Sequence, residues 1–306
     1  VAIVPGGTNV FLASDRPLSL DPDVLSERAR QLGLRNAFVN PAMLPARLDP
    51  RRVQRLRETI GGREGDLNTD TRPIGYLRES ILWRTQFRGS GPRMMARLAS
   101  VPASWLLGIG LALATIVLVG LRFRPNRSTS TAILGPLAVL GLTTIAVEIA
   151  SIAWFQALHG SVYESLAFLL ATFMTGLTAG SAVALQARKP RFFLLTAIQI
   201  GLLGLLLGAW AGLVQRPSPI VFAAYLFFIG VAAGAIFVFA NALYIRDAGR
   251  AGFGYAGELI GGFVGAWAVA AILIPLTGLS SVFLLLIILN AISLLVLISL
   301  RPRRPA

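Results

Sequence analysis

Two carboxylates, Glu148 and Glu258, stand inside stretches that are otherwise apolar. A charged side chain at the centre of a membrane costs roughly 3 kcal/mol on insertion scales, so a carboxylate kept there faces the protein interior or pairs. Two chemistries suit such residues: a site for a cation or proton, and an interhelical hydrogen bond that fixes packing. His159 is the single histidine and falls in a short loop, while the chain has no cysteine. One imidazole without thiolates does not make a metal centre, and a solvated loop residue is the simpler reading. In the polar part, Gly7, Thr8 and Asn9 form a turn that could line an acceptor pocket, because glycine permits close backbone approach and asparagine both donates and accepts. An ordinary hairpin turn accounts for them equally well. Asp70 could face a cationic amine; an Asx-type turn with Asn68 explains it better.

The elements that would hold the buried carboxylates are long and apolar. Crossing a bilayer takes roughly 20 apolar residues in a helix. The spacing predicts seven such spans, at 102–121, 133–158, 165–187, 192–214, 220–244, 254–276 and 281–300. Gly176 and Gly180 stand four apart, and Gly257, Gly261 and Gly265 repeat that spacing. Small residues on one face let helix backbones approach closely, so both stripes are read as packing sites. Asn241 and Asn290 are expected to hydrogen-bond between helices. No internal repeat is evident.

Before the first span the composition changes. Residues 1–100 carry 16 Arg and 10 acidic residues; the remaining residues carry 12 Lys or Arg and four acids. Across the whole chain 55% of residues are hydrophobic, the net charge is +14 and the mean hydropathy is +0.70. In the apolar part the basic residues sit at span ends, which suits membrane topology and anionic lipid better than nucleic acid. Two domains follow: a small lobe at 1–100 and a multi-pass helical domain at 101–306. In the lobe, Val1–Val4 and Val10–Ala13 flank a glycine-rich turn and read as a hairpin. Asp21-Pro22 and Asp49-Pro50 are helix starts, Gly33 and Gly61-Gly62 are stops, and residues 40–48 read as a loop. Ala37–Val39 reads as a short strand and Tyr76–Phe87 as a helix.

Three segments carry a family resemblance: PGGTNVFLAS (Pro5–Ser14), LNTDTRPIGY (Leu67–Tyr76) and Trp83 after it. They resemble the C-terminal part of the spermidine synthase fold, in the subgroup fused to membrane helices. Phe173–Ser181 and Gly254–Ala266 are similar to the glycine-rich helices of that subgroup. The resemblance implies the C-terminal fragment of a Rossmann-type α/β domain followed by a transmembrane bundle. It also implies aminopropyl transfer with decarboxylated S-adenosylmethionine in a longer chain, with a polyamine as partner. Two departures matter. Val4 stands where the family has a tyrosine that helps hold the polyamine. The family's nucleotide-binding glycine loop and catalytic aspartate are not in these residues, so no cofactor and no catalytic residue is assigned, and the chain is read as the C-terminal piece of a longer protein. The competing class is a transporter or sensor for polyamines or other cations with a non-catalytic lobe; a scaffold is a third. Seven spans put the loops at 122–132, 188–191 and 245–253 and the C-terminus on one strongly basic side, while the opposite loops hold only Arg216. The positive-inside rule makes the basic side cytoplasmic, which leaves the lobe outside the cytoplasm.

Overall fold

The structure, a computed structural model, describes residues 2–4, 10–34, 43–60, 67–69, 73–85, 129–160, 163–187, 192–213, 217–248 and 251–299, with isolated positions between. These form two compact units, Val1–Asp66 and Leu67–Ala306.

In the first unit, β1 (Ala2–Val4) pairs antiparallel with β2 (Val10–Leu12), Ile3 opposite Phe11. The observed sheet has these two strands alone among the described residues. Helix α1 (Pro22–Gln31) starts as its sequence dictates. Asp21 caps it by accepting from the Asp23 amide at 2.9 Å, and Pro22 occupies the first helical position. It ends at Gly33, whose φ of 63° suits a residue without Cβ. The expected loop at 40–48 contains one helical turn, α2 (Leu44–Arg47). Its Pro45 lacks an N–H that a first turn would leave unpaired anyway, so the proline does not forbid the turn. Helix α3 (Pro50–Ile60) starts where Asp49 accepts from the Arg51 amide. The expected strand at 37–39 lies outside the described residues.

The second unit begins with α4 (Ile74–Thr85), whose entry is fixed by Asn68 Oδ1 accepting from the Gly75 amide at 3.0 Å. The long helices follow: α5 (Thr129–His159), α6 (Tyr163–Gln186), α7 (Phe192–Gly212), α8 (Pro219–Ala248), α9 (Ala251–Ala268) and α10 (Ile274–Ser299). A π-helical turn, Val269–Leu273, links the last two. Five described helical stretches are long and apolar enough to cross a membrane, and the fifth, Gly252–Ser299, is 48 residues long. At about 1.5 Å per residue it would overrun a bilayer of about 30 Å as a straight rod. It is not straight. Gly278 has φ 77° and ψ 174°, a conformation open to glycine. On either side of Gly278 the chain runs in opposite directions: α9 lies parallel to α5, and α10 antiparallel to it. The chain is therefore a multi-pass membrane protein whose described helices make six crossings. The expected span at 102–121 falls mostly outside the described residues.

Helices α5, α8, α7 and α10 form a ring in which each packs on two neighbours; α6 packs outside on α8, and α9 outside on α5. Directions follow from paired contacts. Phe155 meets Phe222 and His159 meets Pro217, so α5 and α8 are antiparallel. Gln199 meets Asn290 and Trp210 meets Ser280, so α7 and α10 are antiparallel.

Candidate functional site

The two outer helices are held by glycine in the same way. A Cβ at Gly176 or Gly180 of α6 would collide with the carbonyl oxygens of Phe227 or Val231 of α8. A Cβ at Gly261 of α9 would collide with that of Ala138 of α5, and one at Gly265 would come within 2.7 Å of Leu142 O. The partners reciprocate: Gly230 of α8 meets Phe173 O, and Gly141 of α5 meets Glu258 O. Each α6–α8 pairing thus has an α9–α5 counterpart, residue by residue. Such close parallel packing brings Cα–H groups onto carbonyl oxygens and replaces the hydrophobic drive that lipid does not supply.

That correspondence extends to the whole bundle. Matching α5, α6 and α7 with α8, α9 and α10 turns every packing pair among these six helices into another packing pair. Three helices is an odd number, so the two halves cross the membrane in opposite senses. The bundle is an inverted-topology repeat. The sequence holds its trace, which corrects the reading that no repeat exists: Phe168, Ala171, Gly176 and Gly180 recur with identical spacing as Phe253, Ala256, Gly261 and Gly265. In the same way Leu137, Gly141, Ala146 and Ala153 recur as Leu226, Gly230, Ala235 and Ala242.

At the centre, α7 and α10, which are equivalent helices, meet through their amides. Gln199 Nε2 donates to Asn290 Oδ1 at 3.0 Å, and Asn290 Nδ2 donates to Thr143 Oγ1 and Leu286 O at 2.8 Å. Thr143 in turn donates to Val139 O. Asn290 is 0% exposed, so this network joins α5, α7 and α10 in the buried interior of the ring.

Glu148 of α5 is buried at 9% exposure, and Glu258 of α9 is half-buried with its side chain against Gly141. The two are not brought together: Glu258 lies level with the first half of α5, and Glu148 beyond its middle. In the repeat, Glu148 matches Phe237 and Glu258 matches Phe173, so both carboxylates belong to the α5–α9 pair. Gly257 makes ordinary contact with Leu134. His159 is exposed but ends α5 rather than lying in the expected loop; its ring is tilted on Phe155 and edge-on to Phe222, and its Nε2 lies 3.0 Å from Pro217 O. Asn241 does not pair as expected: its Oδ1 lies over Gly254 with no hydrogen-bond partner. Gly7, Thr8, Asn9 and Asp70 lie outside the described residues. Sequence reasoning missed Gln199, Ser151, Trp154 and Tyr225. A glutamine in the run Ile198–Ile200 was the available signal. Among the described residues no three His, Cys, Asp or Glu side chains gather as metal ligands. No family model matches the chain, nor does any curated protein or solved structure.

Proposed function

We propose that the bundle is a transport module of a membrane-integrated, spermidine synthase-like protein, and that its cargo is a polyamine or another organic cation. The observation that supports this reading is the inverted repeat. Two halves of opposite sense related about an axis in the membrane plane can exchange conformations, which exposes a central site first to one side and then to the other. The cation follows from charge: the six crossings hold Glu148 and Glu258 and no Lys or Arg away from their ends.

The lobe supports a second reading, aminopropyl transfer from decarboxylated S-adenosylmethionine in a longer chain. The β1–β2 hairpin, flanking the turn of the synthase-like segment Pro5–Ser14, favours it. The truncated α/β domain and the acceptor roles of Gly7, Thr8, Asn9 and Asp70 belong to this proposal. The positive-inside rule puts Arg188, Lys189, Arg191, Arg246 and Arg250 in the cytoplasm with the C-terminus, and the lobe outside if 102–121 also crosses. That placement favours transport or sensing, since an adenosyl cofactor is made in the cytoplasm.

The test is uptake of radiolabelled spermidine into proteoliposomes holding the full chain. Saturable uptake above protein-free vesicles supports transport; uptake equal to that of empty vesicles, with folded protein, rejects it.

A further inference from the structure

Four buried polar atoms in the bundle have no hydrogen-bond partner: Asn241 Oδ1, near the far end of α8, and Ser151 Oγ, Trp154 Nε1 and Tyr225 Oη. The last three lie together. Trp154 of α5 packs edge-on against Phe222 of α8, with ring centroids 4.8 Å apart, and also against Phe283 of α10 at 6.4 Å. Ser151 lies one turn toward the membrane midplane from Trp154, and Tyr225 one turn toward it from Phe222. Because α5 and α8 are antiparallel, Ser151 and Tyr225 stand at one depth in the half of the ring nearer His159.

Packing does not require these groups. Through the repeat, Ser151 matches Ala240, Trp154 matches Leu243 and Tyr225 matches Pro136, so the other half of the ring fills the same places with apolar side chains. The lack of partners is also not a habit of hydroxyls in this bundle. Thr143, Thr144, Thr175 and Thr277 each donate to a carbonyl of their own helix three or four residues back, and Ser151 does not. An unpaired buried polar group is destabilising, and its retention points to a partner that comes and goes.

We infer that Ser151, Trp154 and Tyr225 form a binding site for a primary ammonium group on a short alkyl arm. This rests on the transport reading and names its cargo site. The two hydroxyl oxygens accept from the ammonium. The faces of Trp154, Phe222 and Phe283 attract it through their quadrupoles. Glu148, one turn further toward the midplane on the same helix, supplies negative charge, and no basic side chain opposes it within the crossings. The indole N–H takes an acceptor from the hydration water that travels with the cation.

The experiment uses the full chain in nanodiscs, labelled with 5-fluorotryptophan, with the Trp154 resonance assigned by Trp154→Phe. n-Butylammonium, n-butanol and n-butyrate are the probes. The Trp154 resonance is expected to shift saturably with butylammonium, and not with butyrate. Ser151→Ala and Tyr225→Phe are each expected to weaken that titration about five- to tenfold, the size of one lost hydrogen bond, with the thermal midpoint unchanged or raised. A resonance unmoved by butylammonium overturns the site, as does a response to butyrate instead. Variants that titrate like the parent, or that lower the midpoint, also overturn it by making the hydroxyls structural. Butylammonium uptake in proteoliposomes separates the two claims. Binding without uptake rejects transport and keeps the site; uptake without binding at Trp154 rejects the site and keeps transport.

Discussion

The half of the bundle built from α5–α7 and the half built from α8–α10 share a packing plan and differ in what they carry. Gly176 and Gly180 rest on α8 as Gly261 and Gly265 rest on α5. The plan is set by backbone contacts that tolerate no side chain. Chemistry is then distributed unevenly over it: Glu148 and Glu258 fall on the α5–α9 pair, where the α8–α6 pair has Phe237 and Phe173. The difference teaches which residues the fold needs. Positions equal in both halves are architectural, and positions that are polar in one half and apolar in the other are free to serve function.

The largest effect should come from breaking the shared plan. Gly176→Leu and Gly261→Leu each drive a side chain into a backbone carbonyl, which cannot rotate away. Each should cost about 1–3 kcal/mol, read as a lower thermal midpoint and yield in detergent. Gly204→Leu, at a glycine with nothing within 4 Å, should stay within about 0.5 kcal/mol of the parent. Equal losses at all three would show that close packing is not what the stripes provide.

The central network comes next. Asn290→Leu removes the acceptor for Gln199 and the donor to Thr143, and should cost about 1–3 kcal/mol because Gln199 is left buried without this partner. Adding Gln199→Leu should restore part of the loss. A double-mutant cycle on unfolding midpoints measures the coupling, and additive losses would mean that the two amides do not bond across the ring.

A smaller effect distinguishes two glycines within one pair. Gly141→Ala meets Glu258 O, whereas Gly262→Ala meets the side-chain carbon Cγ1 of Ile145 at 3.3 Å. The first should lower stability clearly; the second should cost less than about 1 kcal/mol, since a side chain can shift. The symmetry is broken here by exchange: Gly262 faces Ile145, while in the other pair Gly234 faces the Leu177 backbone.

Hydrophobic length made the crossings legible in the sequence, and the four-residue spacing marked Gly176, Gly180, Gly261 and Gly265. The repeat was not legible, because it survives in a few small residues plus the pairs Phe168/Phe253 and Leu137/Leu226, while lipid accepts almost any apolar side chain between them. The partners of each glycine stripe also lie on helices that do not adjoin it in the chain, α8 for α6 and α5 for α9. Gln199 and Tyr225 escaped notice for a related reason: a single polar residue in an apolar run has no periodicity, and only the ring shows what it faces.

The central claim is that two three-helix halves cross the membrane in opposite senses, and the side of each loop tests it most directly. The chain has no cysteine, so single cysteines can be introduced without removing any. We predict that Gly160→Cys, Gln215→Cys and Ser281→Cys react with an impermeant maleimide from one side of intact vesicles. Ala187→Cys, Gly252→Cys and Ala306→Cys should react from the other. Labelling of Ser281→Cys and Ala306→Cys from the same side would mean that Gly252–Ser299 does not cross twice, and the inverted repeat would be wrong.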